Sequence, residues 1–227
     1  MKWHFDDFIY GSIDGAVTTF AIVASVVGAG LSPGIILILG CANLFADGFS
    51  MAVANYQASK ARNEYIQMRR KQEERDIENS EDEEREEIRD IYRKKGFKDE
   101  LLEEIVRIIT SRKKIWVDTM MKEELGLIDD EKNPIDSAVS TFVGFNIIGL
   151  IPLIPFMIFM MIDIEPNSEA FTYSTISVSI AFFLVGMIKA KIVKSSKIRS
   201  GINTLIIGGG AAMVAYLVGY GLNVLIN

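Results

Sequence analysis

The sequence predicts an all-α membrane protein: five transmembrane helices with a cytosolic helical insert between the second and the third. Three observations carry this. Charge is segregated, with 22 of the 30 acids and 18 of the 24 Lys and Arg falling in residues 58–133. The rest is almost entirely apolar, in runs of the roughly 20 residues that a helix needs to cross the hydrocarbon core. The two short loops near the C-terminal end differ in sign. Residues 189–199 carry five basic residues and no acid, whereas residues 163–170 carry acids and no Lys or Arg. Basic loops stay in the cytosol, so the first of these is internal and the second external. Three domains follow: 1–57 with helices one and two, 58–133 as the insert, and 134–227 with helices three to five.

Residues 1–10 read as a short amphipathic lead-in, with Trp3 and Tyr10 suited to the interface. The first span covers about residues 8–30 and holds one acid, Asp14, between Gly11 and Gly15. Asp14 either anchors the helix near the interface or faces the second helix across small residues. Residues 30–34 form a tight turn, and Pro33 suits a first helical position. The second span, residues 33–56, continues without an obvious break into a polar helix reaching about residue 79. Ser80 with Glu83 matches a capping box that opens a helix to residue 95, closed by Gly96. A further helix over residues 98–112 presents Leu101, Leu102, Ile105, Ile108 and Ile109, and another over residues 114–125 ends at Gly126. Residues 127–134 link back to spans over residues 135–162, 171–188 and 202–226. Gly201, Gly208, Gly209, Gly210, Gly219 and Gly221 give the last span a small-residue face.

Several classes are excluded. Cys41 is the only cysteine, so there is no disulfide framework and no thiolate zinc cluster. The net charge of −6 comes from a mixed-sign segment, which does not make a nucleic-acid surface. Asp6 and Asp7, with no basic leader, argue against a cleaved signal peptide.

The second span carries the chemistry. Asn43, Asp47 and Met51 follow one another at four-residue spacing and share one helix face. A carboxylate at that depth costs a few kcal/mol or more and normally faces a partner or a water-filled path. In the insert, Glu73 with Asp76 and Glu84 with Glu87 are two i, i+3 pairs on either side of Ser80. Pairs on facing helices are how helical bundles build carboxylate metal sites. Met120, Met121, Glu123 and Glu124 add oxygens and soft sulfurs, which moves the preference from magnesium or calcium towards ferrous iron. Spacing alone leaves open that these acids are a solvated face with i, i+4 ion pairs. The methionine pair reads as an exposed, binding-type surface.

These residues together resemble the vacuolar iron transporter family. The likeness rests on Asp14-Gly15, the Gly-x-Ser-Met of residues 48–51, the run over residues 86–96, the Met-Met-x-Glu-Glu-Leu-Gly-Leu of residues 120–127, and the Gly-rich last span. The resemblance implies a homodimer of five-span subunits with its path at the dimer interface. It implies a cytosolic metal-binding insert and exchange of cytosolic Fe2+ for protons. By motif, Asp14 and Met51 match the family's metal residues in the membrane. Glu73, Asp76, Glu84, Glu87, Met120, Met121 and Glu124 match its ligands in the insert. Two departures stand out: Asp76 takes the place of a usual Glu, and Asn43 and Asp47 stand where a Glu and a small residue are usual.

The expectation is therefore an antiporter of the cell membrane, with its N-terminus and insert cytosolic. It exports Fe2+, with Mn2+ as a second cargo and Co2+ and Zn2+ as further candidates, and it uses no organic cofactor. Its metal residues are Asp14, Asp47, Met51 and the seven of the insert; its partners are metal ions, protons, lipid and a second copy. Two rivals are a membrane-anchored di-iron oxidase and a metal sensor that does not transport. The first is weakened by histidine, since His4 is the only one and such sites draw His from two helices. The second is weakened by the acids within the spans.

Overall fold

The computed structural model describes residues 3–127, 132–162 and 168–226. Residues 128–131 of the predicted linker and residues 163–167 of the predicted acidic loop lie outside the described residues. Every regular element among the described residues is helical. Five helical stretches are long and apolar enough to cross a membrane: Phe5–Gly28, Pro33–Asn79, Pro134–Met161, Glu169–Ile192 and Lys197–Ile226. The chain divides into two compact units, Met1–Gln57 with Asn133–Asn227, and Ala58–Lys132.

In the first unit, α1 (Phe5–Gly28) begins three residues earlier than the hydropathy suggested, so most of the predicted lead-in is helix. It ends in a Schellman motif: Gly30 takes φ +63°, its N–H reaches the Val27 carbonyl, and the Leu31 N–H reaches Val26. α1 packs on α6 (Pro134–Gly149), whose N-terminus is capped by the Asn133 side chain accepting from the Ile135 N–H at 3.0 Å. The two backbones nearly touch. A Cβ on Gly15 would lie 2.3 Å from the Phe145 carbonyl oxygen, and one on Gly144 would lie 2.3 Å from that of Phe8. Only glycine allows this approach, and it fixes the rotation of α1.

The third span is not one helix. α6 stops at Gly149, residues Ile151–Leu153 form a 3₁₀ turn, and α7 (Ile154–Met161) completes the crossing. Pro152 and Pro155 supply no N–H, so the helical ladder cannot run through them. The buried Ser174 hydroxyl of α8 (Ser168–Ile192) donates to the Pro152 carbonyl at 2.7 Å and holds the irregular backbone in place. Such backbone survives at membrane depth only when protein satisfies it. α9 (Lys197–Ile226) packs on α8 and α1 through Gly201, Gly208 and Gly219. Gly209, Gly210 and Gly221 meet nothing within 4 Å, so the glycine face is half of the one expected.

α2 (Pro33–Asn79) runs 47 residues without a break, and its last 22 residues belong to the second unit. There it joins α3 (Glu81–Lys94), α4 (Asp99–Thr110) and α5 (Lys113–Glu123). Ile66, Ile77, Ile88, Leu102, Val106, Ile109, Trp116 and Val117 form the core of this unit. The predicted capping box is absent. Ser80 is the N-cap residue, but its carbonyl, not its hydroxyl, accepts from Glu83 and Glu84. The buried face of α4 is Leu102, Val106 and Ile109; Leu101 and Ile108, which the apolar pattern placed inside, are exposed. Gly96 takes φ +99° in a second Schellman motif, with Tyr92 packed on Phe97. Arg89 grips Glu103 with two bonds of 2.7 and 3.0 Å, and Arg70 pairs with Asp118 at 2.7 Å.

Candidate metal path and carboxylate cluster

Within the first unit, Gly15 is turned to α6. Asp14, about 100° round the helix, is turned elsewhere. The neighbouring contacts show where. Thr18, one turn on, hydrogen-bonds the Asp14 carbonyl at 2.9 Å and receives the Asn43 amide of α2 at 3.4 Å. Asp47, one turn on from Asn43, shares the face of α2 that Asn43 turns to Thr18. Asp14 and Asp47 thus come from two apolar helices to one polar strip, both half-buried. Met51 is partly buried against the core, one turn beyond Asp47.

The structure adds a residue to this strip that the spacing argument left out. Asn55 continues the four-residue series of Asn43, Asp47 and Met51, and its amide donates to Thr141 Oγ1 of α6 at 2.6 Å. The strip is tied to α1 at one end by Asn43 and to α6 at the other by Asn55. A second addition lies at the start of α1. His4, Asp6 and Asp7 place one potential ligand atom each within 4.8 Å of one another. His4 is the residue ahead of the helix, so its ring turns back to acids two and three positions on.

In the second unit the burial of Glu73 decides the electrostatics. Glu73 lies on the apolar stripe of α2 between Ile66 and Ile77 and is only 4% exposed. Glu84 stands one turn from the buried Ile88, and Glu124 one turn from the buried Met120. Glu73 is therefore buried at the apolar core, Glu84 is half-buried at its edge and Glu124 is exposed beside it. Asp76 and Glu87 join them: the Glu84 carboxyl feels the charges of Glu87, Glu73, Glu124 and Asp76. Loss of water comes first and these charges second, and together they push Glu84 up to about 7. Glu124 is raised in the same way, by loss of water first, then by Glu87. Arg69 is the cation close to the group, pairing with Glu73 at 3.6 Å. The Glu84 Oε2 atom is buried with no hydrogen-bond donor. Like charges crowded around the buried Glu73, with Arg69 as a partial counter-ion, favour either protons or a divalent cation.

All seven predicted residues of this segment thus fall in one unit, but they are not alike. Glu73, Asp76, Glu84, Glu87 and Glu124 are mutually coupled, although no three of them bring oxygens within 4.8 Å of one another. Met120 and Met121 are 0% and 2% exposed and pack in the core, which corrects the expectation of an exposed pair. Glu123 leaves the group altogether, since Lys95 hydrogen-bonds it and lowers its carboxyl.

Comparison with known proteins covers nearly the whole chain. Residues 5–220 match the VIT family. The chain is 33% identical over 223 residues to a vacuolar iron transporter of Plasmodium berghei (strain Anka), covering 96% of this chain and 82% of that protein. It is 36% identical over 217 residues to a vacuolar iron transporter of Toxoplasma gondii (strain ATCC 50861 / VEG), covering 93% and 72%. It is 29% identical over 211 residues to vacuolar iron transporter 1 of Arabidopsis thaliana, covering 92% and 82%. A match that runs through both units and takes in all five apolar helices makes this chain a member of the VIT family, a multi-pass membrane protein.

Proposed function

We propose that the protein is a transporter, not an enzyme, that carries Fe2+ out of the cytosol in exchange for protons, with Mn2+ as a second cargo. The observation that carries the reading is the approach of Asp14 and Asp47 from two apolar helices. Two carboxylates balance one divalent cation, so the loaded strip is neutral, and a neutral strip avoids the cost of net charge in hydrocarbon. Unloaded, the same balance needs protons, which is the physical basis for exchange. Met51 adds a soft sulfur that favours iron over magnesium or calcium. The names of the relatives support iron as the cargo.

In this reading residues 58–132 are a cytosolic metal-binding domain, and Glu73, Asp76, Glu84, Glu87 and Glu124 collect the ion there. Their coupling without close contact suits long side chains that swing onto a cation as it arrives. Met120 and Met121 lie in the core from which the sulfurs would be offered. The working unit is a homodimer in the cell membrane. The exposed stripe of Ile38, Phe45 and Phe49 on α2 supports a second copy seated beside the path. The test is initial flux of Fe2+, Mn2+, Co2+ and Zn2+ into proteoliposomes, with and without an imposed pH gradient. Metal flux that ignores the gradient would refute proton exchange; binding with no flux would refute transport.

A further inference from the structure

Where α8 ends and α9 begins, the chain forms an open cavity of about 450 Å3 that the transport reading does not use. Lys189 and Arg199 reach it from the two helices, and Ser195, Ser196, Ser200 and Asn203 line it with hydroxyls and an amide. No carboxylate lines it among the described residues. The segment from Lys189 to Arg199 holds five cations, and none of them makes an ion pair among the described residues. This contrasts with the second unit, where basic side chains are repeatedly paired with acids.

The backbone of this turn is also defined. The Ser195 N–H bonds the Ala190 carbonyl at 3.0 Å, closing α8 in a Schellman motif with Lys194 at φ +52°. Below the polar lining the cavity meets Ile207. The outer faces of both helices here are apolar and exposed, at Ile188, Ile192, Ile198, Ile202 and Ile206. A pocket with cations and hydroxyls above and Ile207 below, at the end of two membrane-spanning helices with apolar outer faces, has the polarity of the headgroup boundary.

We infer that this cavity binds the phosphate of an anionic phospholipid. Lys189 and Arg199 supply charge, with Arg able to meet two phosphate oxygens at once. The serines and Asn203 supply neutral donors, and Ile207 meets the glycerol and upper acyl carbons. Juxtamembrane cations contribute about 1 kcal/mol each towards anionic lipid, so losing both should weaken binding roughly 25-fold, or about fivefold per cation.

The test uses the full-length protein in a neutral detergent, with the thermal midpoint followed as lipid is titrated in. Phosphatidylglycerol should raise the midpoint and phosphatidylcholine should not. Lys189→Gln/Arg199→Gln should shift half-saturation to about 25-fold more lipid, while Lys189→Arg/Arg199→Lys keeps binding within a few-fold. Lys191→Gln/Lys197→Gln removes equal charge outside the cavity and should shift half-saturation clearly less than the cavity pair does. Equal loss in that control would overturn the site in favour of diffuse surface charge. A full response to inorganic phosphate alone would overturn the lipid assignment in favour of a free anion. If the double Gln variant has a lowered midpoint before lipid is added, the lipid-induced rise in Lys191→Gln/Lys197→Gln decides, because a positional site leaves it largely intact and diffuse surface charge does not.

Discussion

Asn55 Nδ2 donates to Thr141 Oγ1 at 2.6 Å, and Thr141 in turn donates to the Ser137 carbonyl at 3.1 Å. This chain of bonds pins α2 to α6 one turn beyond Met51. It therefore fixes the rotation of α2 at Asp47 and Met51. Asn55→Ala leaves the buried Thr141 hydroxyl short of a donor and should cost about 1 kcal/mol of stability. We expect the variant to insert, to melt at a lower temperature in detergent, and to move Fe2+ more slowly at equal protein density. A normal melt with normal flux would make the bond incidental to the path.

The five coupled carboxylates of the second unit should bind a divalent transition metal. Glu73→Gln/Glu84→Gln/Glu87→Gln keeps the shape and removes three charges. Calorimetry with Mn2+ on the full-length protein should lose its strongest binding event in this variant. Met120→Leu and Met121→Leu nearly conserve volume and should cost less than about 1.5 kcal/mol each. If either methionine also offers sulfur to the ion, its Leu variant weakens Co2+ binding more than Mn2+ binding. Unchanged calorimetry in the triple variant would leave the acids as a solvated face.

Glu84 gives this unit a pH signature. Its carboxyl titrates at about 7 in the folded protein, against an ordinary value of 4.5. Because the folded value is the higher one, the folded state holds the extra proton between them. Stability is then lost as pH rises through that window. The thermal midpoint of the metal-free protein should fall from about pH 5 to about pH 8, and Glu84→Gln should flatten the slope. Added metal should act in the opposite sense, stabilising more as pH rises, because its ligands must shed protons. Parallel slopes in wild type and Glu84→Gln would show that Glu84 does not titrate here.

Much of this arrangement is legible in residue patterns, and the exceptions have physical causes. Helix ends at Gly30, Gly96 and Gly126 follow from positive φ, and the unbroken α2 follows from the absence of any Gly or Pro signal near residue 57. The break at Pro152 was hidden because hydropathy counts side chains, whereas the break concerns a missing N–H. Asn55 is the next four-residue step after Met51, but an amide costs less in the membrane than a carboxylate, so its spacing alone signals no partner. The burial of Met120 and Met121 was not visible, since adjacency in sequence does not say which faces of α5 are covered. Glu73 carried a cue, an acid standing on the Ile66 and Ile77 stripe. His4 with Asp6 and Asp7 carried none, because the grouping depends on how the chain enters α1.

Topology is tested at two exposed serines in described loops, in a Cys41→Ala background. Ser32 precedes α2 and Ser195 precedes α9. With the basic loop in the cytosol, Ser32→Cys should react with an impermeant thiol reagent applied to whole cells, and Ser195→Cys should react only after permeabilisation. The reverse pattern would invert the proposed direction of transport.

The sharpest test of the path is Asp47. It stands one turn from both Asn43 and Met51, on the face of α2 that Asn43 turns to Thr18 of α1. Asp47→Asn keeps size and hydrogen bonding but removes the carboxylate charge that the proposed exchange needs. The strip would then offer one carboxylate to a divalent ion and leave a net positive charge in hydrocarbon, which costs several kcal/mol. We expect Asp47→Asn to fold, to keep metal binding in the second unit, and to lose gradient-driven flux. Asp14→Asn should lose flux for the same reason of charge. Met51→Leu nearly conserves volume but lacks the sulfur, so it should slow Fe2+ more than Mn2+. The measurement is initial flux of each metal in proteoliposomes at fixed protein density, with a pH gradient imposed and then collapsed. Wild-type dependence on the gradient in Asp47→Asn would make Asp47 a packing residue and leave Asp14 as the acid of the strip that couples protons to metal.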